Sequence, residues 1–295
     1  MKHPIPLWVL CLLAACGGGG AATPAAAPSP APAPSPSPTP PPAPAPSNRW
    51  TLVWSDEFDG PAGAAPNPSH WSYDLGNRES GGWGNNELQY YTDSRRNSQL
   101  DGNGVLLIRA ERQAQAGPCW NGTMCEFTSA RLLSRGKVAV RYGKVEARIQ
   151  VPGGKGIWPA FWSLGDGRWP DVGEIDIMEF VGKEPNAVYG TVHGPGYSGA
   201  NGLGKERRMG QPVPDAFHVF AIVKRPNEIE WFLDGESFFK ITPASLPAGA
   251  AWVFERDYFL IMNLAVGGHW PGSPDASTPF PATMKVDYVR IYKED

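Results

Sequence analysis

The chain has no basic stripe, little helical periodicity and no internal repeat, and its 295 residues include only four cysteines. Each shortage removes a class of function. Lys2 is the only formally charged residue among the first 48, so removing its +1 from the whole-chain −3 leaves −4 on residues 49–295. A nucleic-acid partner requires a positive surface that this composition does not supply, and a mildly acidic surface suits sulfated or uronic polysaccharides no better. The absence of solenoid or propeller spacing makes the part after residue 48 one large domain, not an array. The longest apolar stretch near the N-terminus, Leu7 to Ala15, is too short for a transmembrane helix.

That stretch has another reading. Lys2 followed by Leu7 to Ala15 has the charged and hydrophobic regions of an export signal. Leu13-Ala14-Ala15-Cys16 resembles a bacterial lipobox, which implies a lipoprotein signal peptide over residues 1–16, with Cys16 lipidated. An ordinary export signal with an incidental cysteine is the alternative. Gly17 stands where an aspartate would favour inner-membrane retention, so the resemblance implies an outer-membrane lipoprotein at the cell surface or in the periplasm. Residues 17–48 form a Pro/Ala/Ser-rich linker that cannot bury a core. At about 3.1 Å per residue its extended reach approaches roughly 90 Å, enough to act as a spacer.

Residues 49–295 read as all-β. Val145, Ala147, Ile149 and Val151 alternate with Lys144, Glu146, Arg148 and Gln150, the pattern of a strand with one buried face. Ile229, Trp231 and Leu233 repeat it, and Asp234-Gly235 then predicts a tight hairpin turn before Phe238 and Phe239. Cys11 and Cys16 belong to the export segment, which leaves Cys119 and Cys125 as the pair in the exported domain. Export favours a disulfide between them, and metal ligation is the lesser alternative because no third and fourth Cys or His ligand lies nearby.

The run Gly173-Glu174-Ile175-Asp176-Ile177-Met178-Glu179-Phe180 places three carboxylates in a stretch otherwise suited to a buried strand. Strict alternation would turn Glu174 and Asp176 to one face and Glu179 to the other. A β-bulge near Ile177-Met178 would bring all three to the same face. Two carboxyl groups about 5–5.5 Å apart across a sugar–sugar bond are the nucleophile and acid/base of a retaining glycosidase. An edge strand carrying solvated acids is the plainer alternative.

Glu-Ile-Asp-Ile-Met-Glu resembles the active-site signature of glycoside hydrolase family 16, in the bulged form of its laminarinase-type endo-β-1,3-glucanases. Further resemblance comes from Trp54-Ser55-Asp56-Glu57-Phe58, the segment from Gly82 to Tyr91, the segment from Gly156 to Trp162, Asn263 to Gly268, and Val286 to Tyr292. It runs from about residue 50 to the C-terminus. It implies a concanavalin A-like β-jelly roll, a sandwich of two antiparallel sheets with a concave substrate cleft, and a retaining mechanism without a cofactor.

On these positions the resemblance makes Glu174 the nucleophile and Glu179 the general acid/base, with Asp176 between them. An ionised Glu174 is then expected to hold Glu179 protonated by like-charge repulsion. Twelve tryptophans supply stacking surfaces for sugar rings as well as core. Trp83, Trp158, Trp162 and Trp169 are candidate sugar contacts, and Asn86, Arg131 and His193 candidate polar ones. The resemblance also implies a structural calcium at Glu57, Gly102 and Asp287, an oxygen donor set of the right kind.

The expected partner is a neutral β-glucan such as laminarin, with mixed β-1,3-1,4 linkages as a further substrate, met by a monomer whose only membrane contact is the lipid anchor. Two other readings stand beside this one. A family-16 agarase or other galactan hydrolase can share the bulged acid pattern. A non-catalytic β-glucan-binding protein can share the fold, although here both Glu174 and Glu179 are present.

Overall fold

The computed structural model describes residues 50–295 apart from Arg78. The export signal, Cys16 and the linker over 17–48 lie outside the described residues. The strands are β1 (Trp50–Asp56), β2 (Ser72–Asp74), β3 (Gln89–Tyr91), β4 (Ser98–Leu100), β5 (Leu106–Pro118) and β6 (Met124–Ser129). Then come β7 (Arg131–Leu133), β8 (Ala139–Val140), β9 (Gly143–Gln150), β10 (Ile157–Gly165), β11 (Glu174–Glu179) and β12 (Ala187–His193). The last six are β13 (Leu203–Arg208), β14 (His218–Arg225), β15 (Glu228–Leu233), β16 (Glu236–Ile241), β17 (Tyr258–Val266) and β18 (Ala282–Glu294). Among the described residues no helix is long and apolar enough to cross a membrane.

The strands form two sheets. The larger has ten strands in the order β16-β15-β14-β9-β18-β5-β6-β3, with β1 also on β18 and β4 on β5. The smaller runs β13-β12-β11-β10-β17-β7-β2, with β8 on β17. Pairing is antiparallel except between β3 and β6, a parallel pair that alternation alone could not foresee.

Side-chain alternation fixes which faces meet. Val145, Ala147 and Ile149 of β9, Phe220 and Ile222 of β14, and Met284, Val286, Val289 and Ile291 of β18 are buried in one core. Opposite them in that core lie Phe161, Ile175, Ile177, Met178 and the even-numbered residues Leu260 to Val266 of β17. The hairpin turn falls where expected: Asp234 and Gly235 link β15 to β16 with φ of 50° and 83°, a conformation that Asp-Gly tolerates well. The predicted disulfide joins Cys119 to Cys125 at a Cα separation of 5.0 Å, closing the loop between β5 and β6.

One core residue bears directly on the acid strand. Trp231 of β15 is fully buried, and its indole N–H crosses the sandwich to donate to the Asp176 carbonyl at 2.8 Å. On the facing sheet Gly190 leaves the necessary space, since a Cβ there would lie 2.5 Å from the indole Cδ1.

Candidate active site

The bulge sits where the three acids require it. On β12, Asp176 pairs with Thr191 and Glu179 with Tyr189, so three steps along β11 face two along its neighbour. The partner β10 shows the same shift, with Trp162 opposite Asp176 and Phe161 opposite Met178. Ile177 and Met178 both enter the core, and Glu179 returns to the outer face.

Residues directly paired across a sheet share a face, so the register builds the floor of the site row by row. The first row runs Asp74, Arg131, Asn263, Ala160, Glu179, Tyr189. The second runs Leu133, Ile261, Trp162, Asp176, Thr191. The third runs Phe259, Leu164, Glu174, His193. Leu133, Phe259 and Ile261 form a small apolar cluster of their own, with Trp162 and Leu164 packed on it. Beside the acids the face is therefore apolar and aromatic, as the C–H face of a sugar ring requires.

Each acid has distinct partners. Glu174 Oε2 accepts the Trp169 indole N–H at 2.8 Å. His193 Nε2 lies 3.2 Å from Asp176 Oδ2 and 3.8 Å from Glu174 Oε1. Glu179 Oε1 accepts the Trp158 indole N–H at 3.2 Å, and Thr191 Oγ1 lies at 3.5 Å from its other oxygen. Asp176 and Glu179 are buried, while Glu174 is partly open.

Burial is the first cause of every charge shift here. It pushes Glu174 up to about 8, helped by the Asp176 charge and opposed by His193, Trp169 and Arg131. Glu179 is pushed well above the ordinary carboxylate range by burial and then by Asp176, with Glu174 a smaller contributor. The expected repulsion from Glu174 is thus present, but burial and the central aspartate do more. Asp176 is also raised by burial, with Glu174 opposing the shift.

The other predicted contacts fall into two groups. Trp158, Trp162, Trp169, Arg131 and His193 surround the acids. Arg131 is stacked between Trp83, 4.5 Å from its ring, and Trp162, at 4.8 Å, and pairs with Asp74 at 2.9 Å. Trp83 thus reaches the site through Arg131, from a turn over Gly82–Asn86 in which Trp83 itself has φ 57°. Asn86 does not touch the acids; its amide nitrogen is 2.7 Å from His269 Nε2.

Three neighbours were not foreseen. Trp270 packs edge-on against Trp158 and Tyr189, with centroids 5.5 and 4.9 Å apart, on the β12 side of Glu179. Asn263 accepts the Trp162 indole N–H at 2.7 Å. Asn263 stood within a family-like block and could have been found from alternation along its strand, whereas Trp270 and Tyr189 carried no local signal.

The implied calcium site does not fit as the side chains stand. The Glu57 carboxylate is held by Arg290 through two hydrogen bonds of 2.9 and 2.8 Å, and Asp287 pairs with Arg148 at 2.7 Å. Gly102 would contribute its backbone carbonyl, as expected of it. Guanidinium groups occupy the carboxylates a dication would need.

Comparison with known proteins agrees with this geometry. The profile of Glycosyl hydrolases family 16 matches residues 83–290. A beta-glucanase from Rhodothermus marinus is 44% identical over 261 residues, covering 83% of this chain and 85% of that protein. Glucan endo-1,3-beta-glucosidase A1 from Niallia circulans is 37% identical over 262 residues, covering 82% of this chain but 38% of that longer protein. The crystal structure of an endo-beta-1,3-glucanase from Pyrococcus furiosus superposes with a TM-score of 0.78 at 45% identity, covering 83% of this chain and 95% of that one.

Proposed function

Because the chain belongs to glycosyl hydrolase family 16 and is a glycoside hydrolase of the jelly-roll type, we propose that it cleaves internal β-1,3-glucosidic bonds of laminarin-type β-glucans, with mixed-linkage β-glucan as a secondary substrate. The observation that carries the reading is the bulge at Ile177, which sets Glu174 and Glu179 on one face beside an apolar, tryptophan-lined floor.

In this reading Glu174 attacks the anomeric carbon while Glu179 gives its proton to the departing glycosidic oxygen. The C–O bond breaks, and a glycosyl ester forms on Glu174. Once Glu174 is esterified its charge is gone, and Glu179, now ionised, takes a proton from water as that water attacks the ester carbon. The sugar is released with its original anomeric configuration, and Glu179 regains its proton. Trp169 donates to the nucleophile and Trp158 to the acid/base, each holding its carboxyl group in place.

A neutral substrate is consistent with the −4 charge of residues 49–295. The calcium at Glu57, Gly102 and Asp287 is not carried forward. Export and lipidation at Cys16, with residues 17–48 spacing the enzyme from an outer membrane, complete the proposal. Labelling with palmitate in a bacterial host, abolished by Cys16→Ser, is the expected result for that part.

The activity is tested by product analysis of the full chain with laminarin, barley mixed-linkage glucan and agarose, beside Glu174→Gln. Short β-1,3-oligosaccharides from laminarin, lost in the variant, are expected. Cleavage of agarose alone would move the enzyme elsewhere in its family, and binding of laminarin without cleavage would overturn the catalytic reading.

A further inference from the structure

The hydrolytic steps leave three buried carboxyl groups unused, at Asp56, Glu87 and Glu146, and Glu87 is the one tied to the sugar-facing side. Glu87 follows the Gly82–Asn86 turn and is only 5% exposed. Its oxygens are ringed by donors: Gln89 Nε2 at 2.6 Å and the Tyr91 hydroxyl at 3.4 Å on Oε2, and Asn85 Nδ2 at 3.3 Å on Oε1. Gln89 is itself fixed, since its Oε1 accepts the Val266 backbone N–H at 2.7 Å.

From Tyr91 the bonds continue to the sugar-facing side. Asn263 Nδ2 donates to the Tyr91 hydroxyl oxygen at 3.1 Å, and Asn263 Oδ1 accepts the Trp162 indole N–H at 2.7 Å. Such a chain has one workable polarity. An indole N–H can only donate, so Asn263 must turn its oxygen to Trp162 and its amide to Tyr91. The Tyr91 oxygen then accepts from behind, and its proton points onward to Glu87. With Gln89, Tyr91 and Asn85 all donating, the terminal group accepts on both oxygens, as a carboxyl group can and an amide cannot. Burial pushes the Glu87 carboxyl above its ordinary range, while Gln89, Arg131, Asn85 and Tyr91 pull the other way.

We propose that Glu87 is a positioning residue: its carboxyl group anchors the Tyr91–Asn263 relay, which fixes the orientation of Trp162, one face of the Trp83–Arg131–Trp162 stack that grips the glucan on the β7 side of the acids. The inference rests on the glucanase reading for its substrate. Glu87 touches neither the sugar nor the reacting atoms. It acts through Trp162, 75 residues later in the chain, which explains a buried carboxyl group in a strand-entry turn that packing alone would fill with an apolar side chain. In Glu87→Gln one acceptor becomes a donor, so one of the three converging donors loses its partner and the relay loses its fixed polarity. A partly satisfied buried network holds its members poorly.

Two measurements on the full chain test this. The first is hydrogen exchange of the Trp162 indole N–H by NMR, assigned with Trp162→Phe. Slow exchange in the wild type and at least tenfold faster exchange in Glu87→Gln are expected. The second is a kinetic cycle on laminarin. Glu87→Gln should raise KM about tenfold, the scale of one lost hydrogen bond, with kcat within about twofold. On a Trp162→Phe background, which keeps a ring but has no N–H, the same substitution should change KM by less than about twofold.

Equal KM increases on both backgrounds, or unchanged indole exchange in Glu87→Gln, would overturn the proposal. Tyr91→Phe cuts the relay one link later and should reproduce both effects if Glu87→Gln folds poorly. Failure of the wild type to cleave laminarin would sink the glucanase reading alone, because the indole measurement still decides the relay.

Discussion

At the scale of single residues, the site is organised by burial more than by any one charge. Asp176 lies between the two glutamates, and its charge raises both. Asp176→Asn should therefore lower both their pKa values and move the whole bell-shaped profile of kcat/KM toward acid, by about one pH unit. Unmoved limbs would show that Asp176 is neutral throughout the working range. Glu174 gives a second test, with the sign set by linkage. Its pKa is raised from 4.5 to about 8 by folding, so the folded state binds its proton more tightly. Its contribution to stability is greatest below pH 4.5 and is lost as pH rises to about 8. Glu174→Gln removes that penalty, so its Tm should exceed the wild type by roughly 2–6 °C at pH 8.5 and match it at pH 4. A lower Tm at pH 8.5 would contradict the assigned burial cost.

At the scale of elements, the central device is the bulge of β11 and its support from the opposite sheet. Trp231 satisfies the Asp176 carbonyl, and Gly190 on β12 makes room for the indole. Gly190→Ala should force the indole away and destabilise the domain by about 1–3 kcal/mol, read by thermal unfolding, with a loss of kcat larger than any change in KM. An unaltered Tm would mean that the sandwich accommodates the methyl group and that Trp231 does not hold the bulge.

The same element shows what a sequence discloses. The bulge was legible because three acids in six residues make sense on one face only if a residue is inserted. The strands over Lys144–Gln150 and Ile229–Leu233 and the Asp234-Gly235 turn were legible from local alternation and turn chemistry. The Trp83–Arg131–Trp162 stack was not, because it joins segments whose meeting depends on the pairing of β7 with β17. Glu87 was hidden for a related reason: in a line of text a buried carboxyl group looks like a solvated one until its donors are assembled. The ion pairs of Glu57 and Asp287 were hidden because their arginines are 233 and 139 residues away from them.

At the scale of the whole molecule, the two sheets divide the labour. The larger covers the core, and the smaller turns its acid-bearing face outward. The net charge is small and of the sign that repels polyanions, so steering has little part in meeting a neutral polymer. KM for laminarin should change less than about twofold between 20 and 500 mM NaCl, and a steep dependence would point to a charged substrate instead.

The central claim is that Glu174 is the nucleophile and Glu179 the acid/base of a retaining reaction. Azide rescue of Glu174→Ala tests it most directly, using a laminarin oligosaccharide with an activated leaving group and NMR of the product. The account predicts that azide enters the vacated side of the ring and restores turnover as an α-glycosyl azide. A β-glycosyl azide, the product expected when the acid/base is missing and the nucleophile intact, would contradict it.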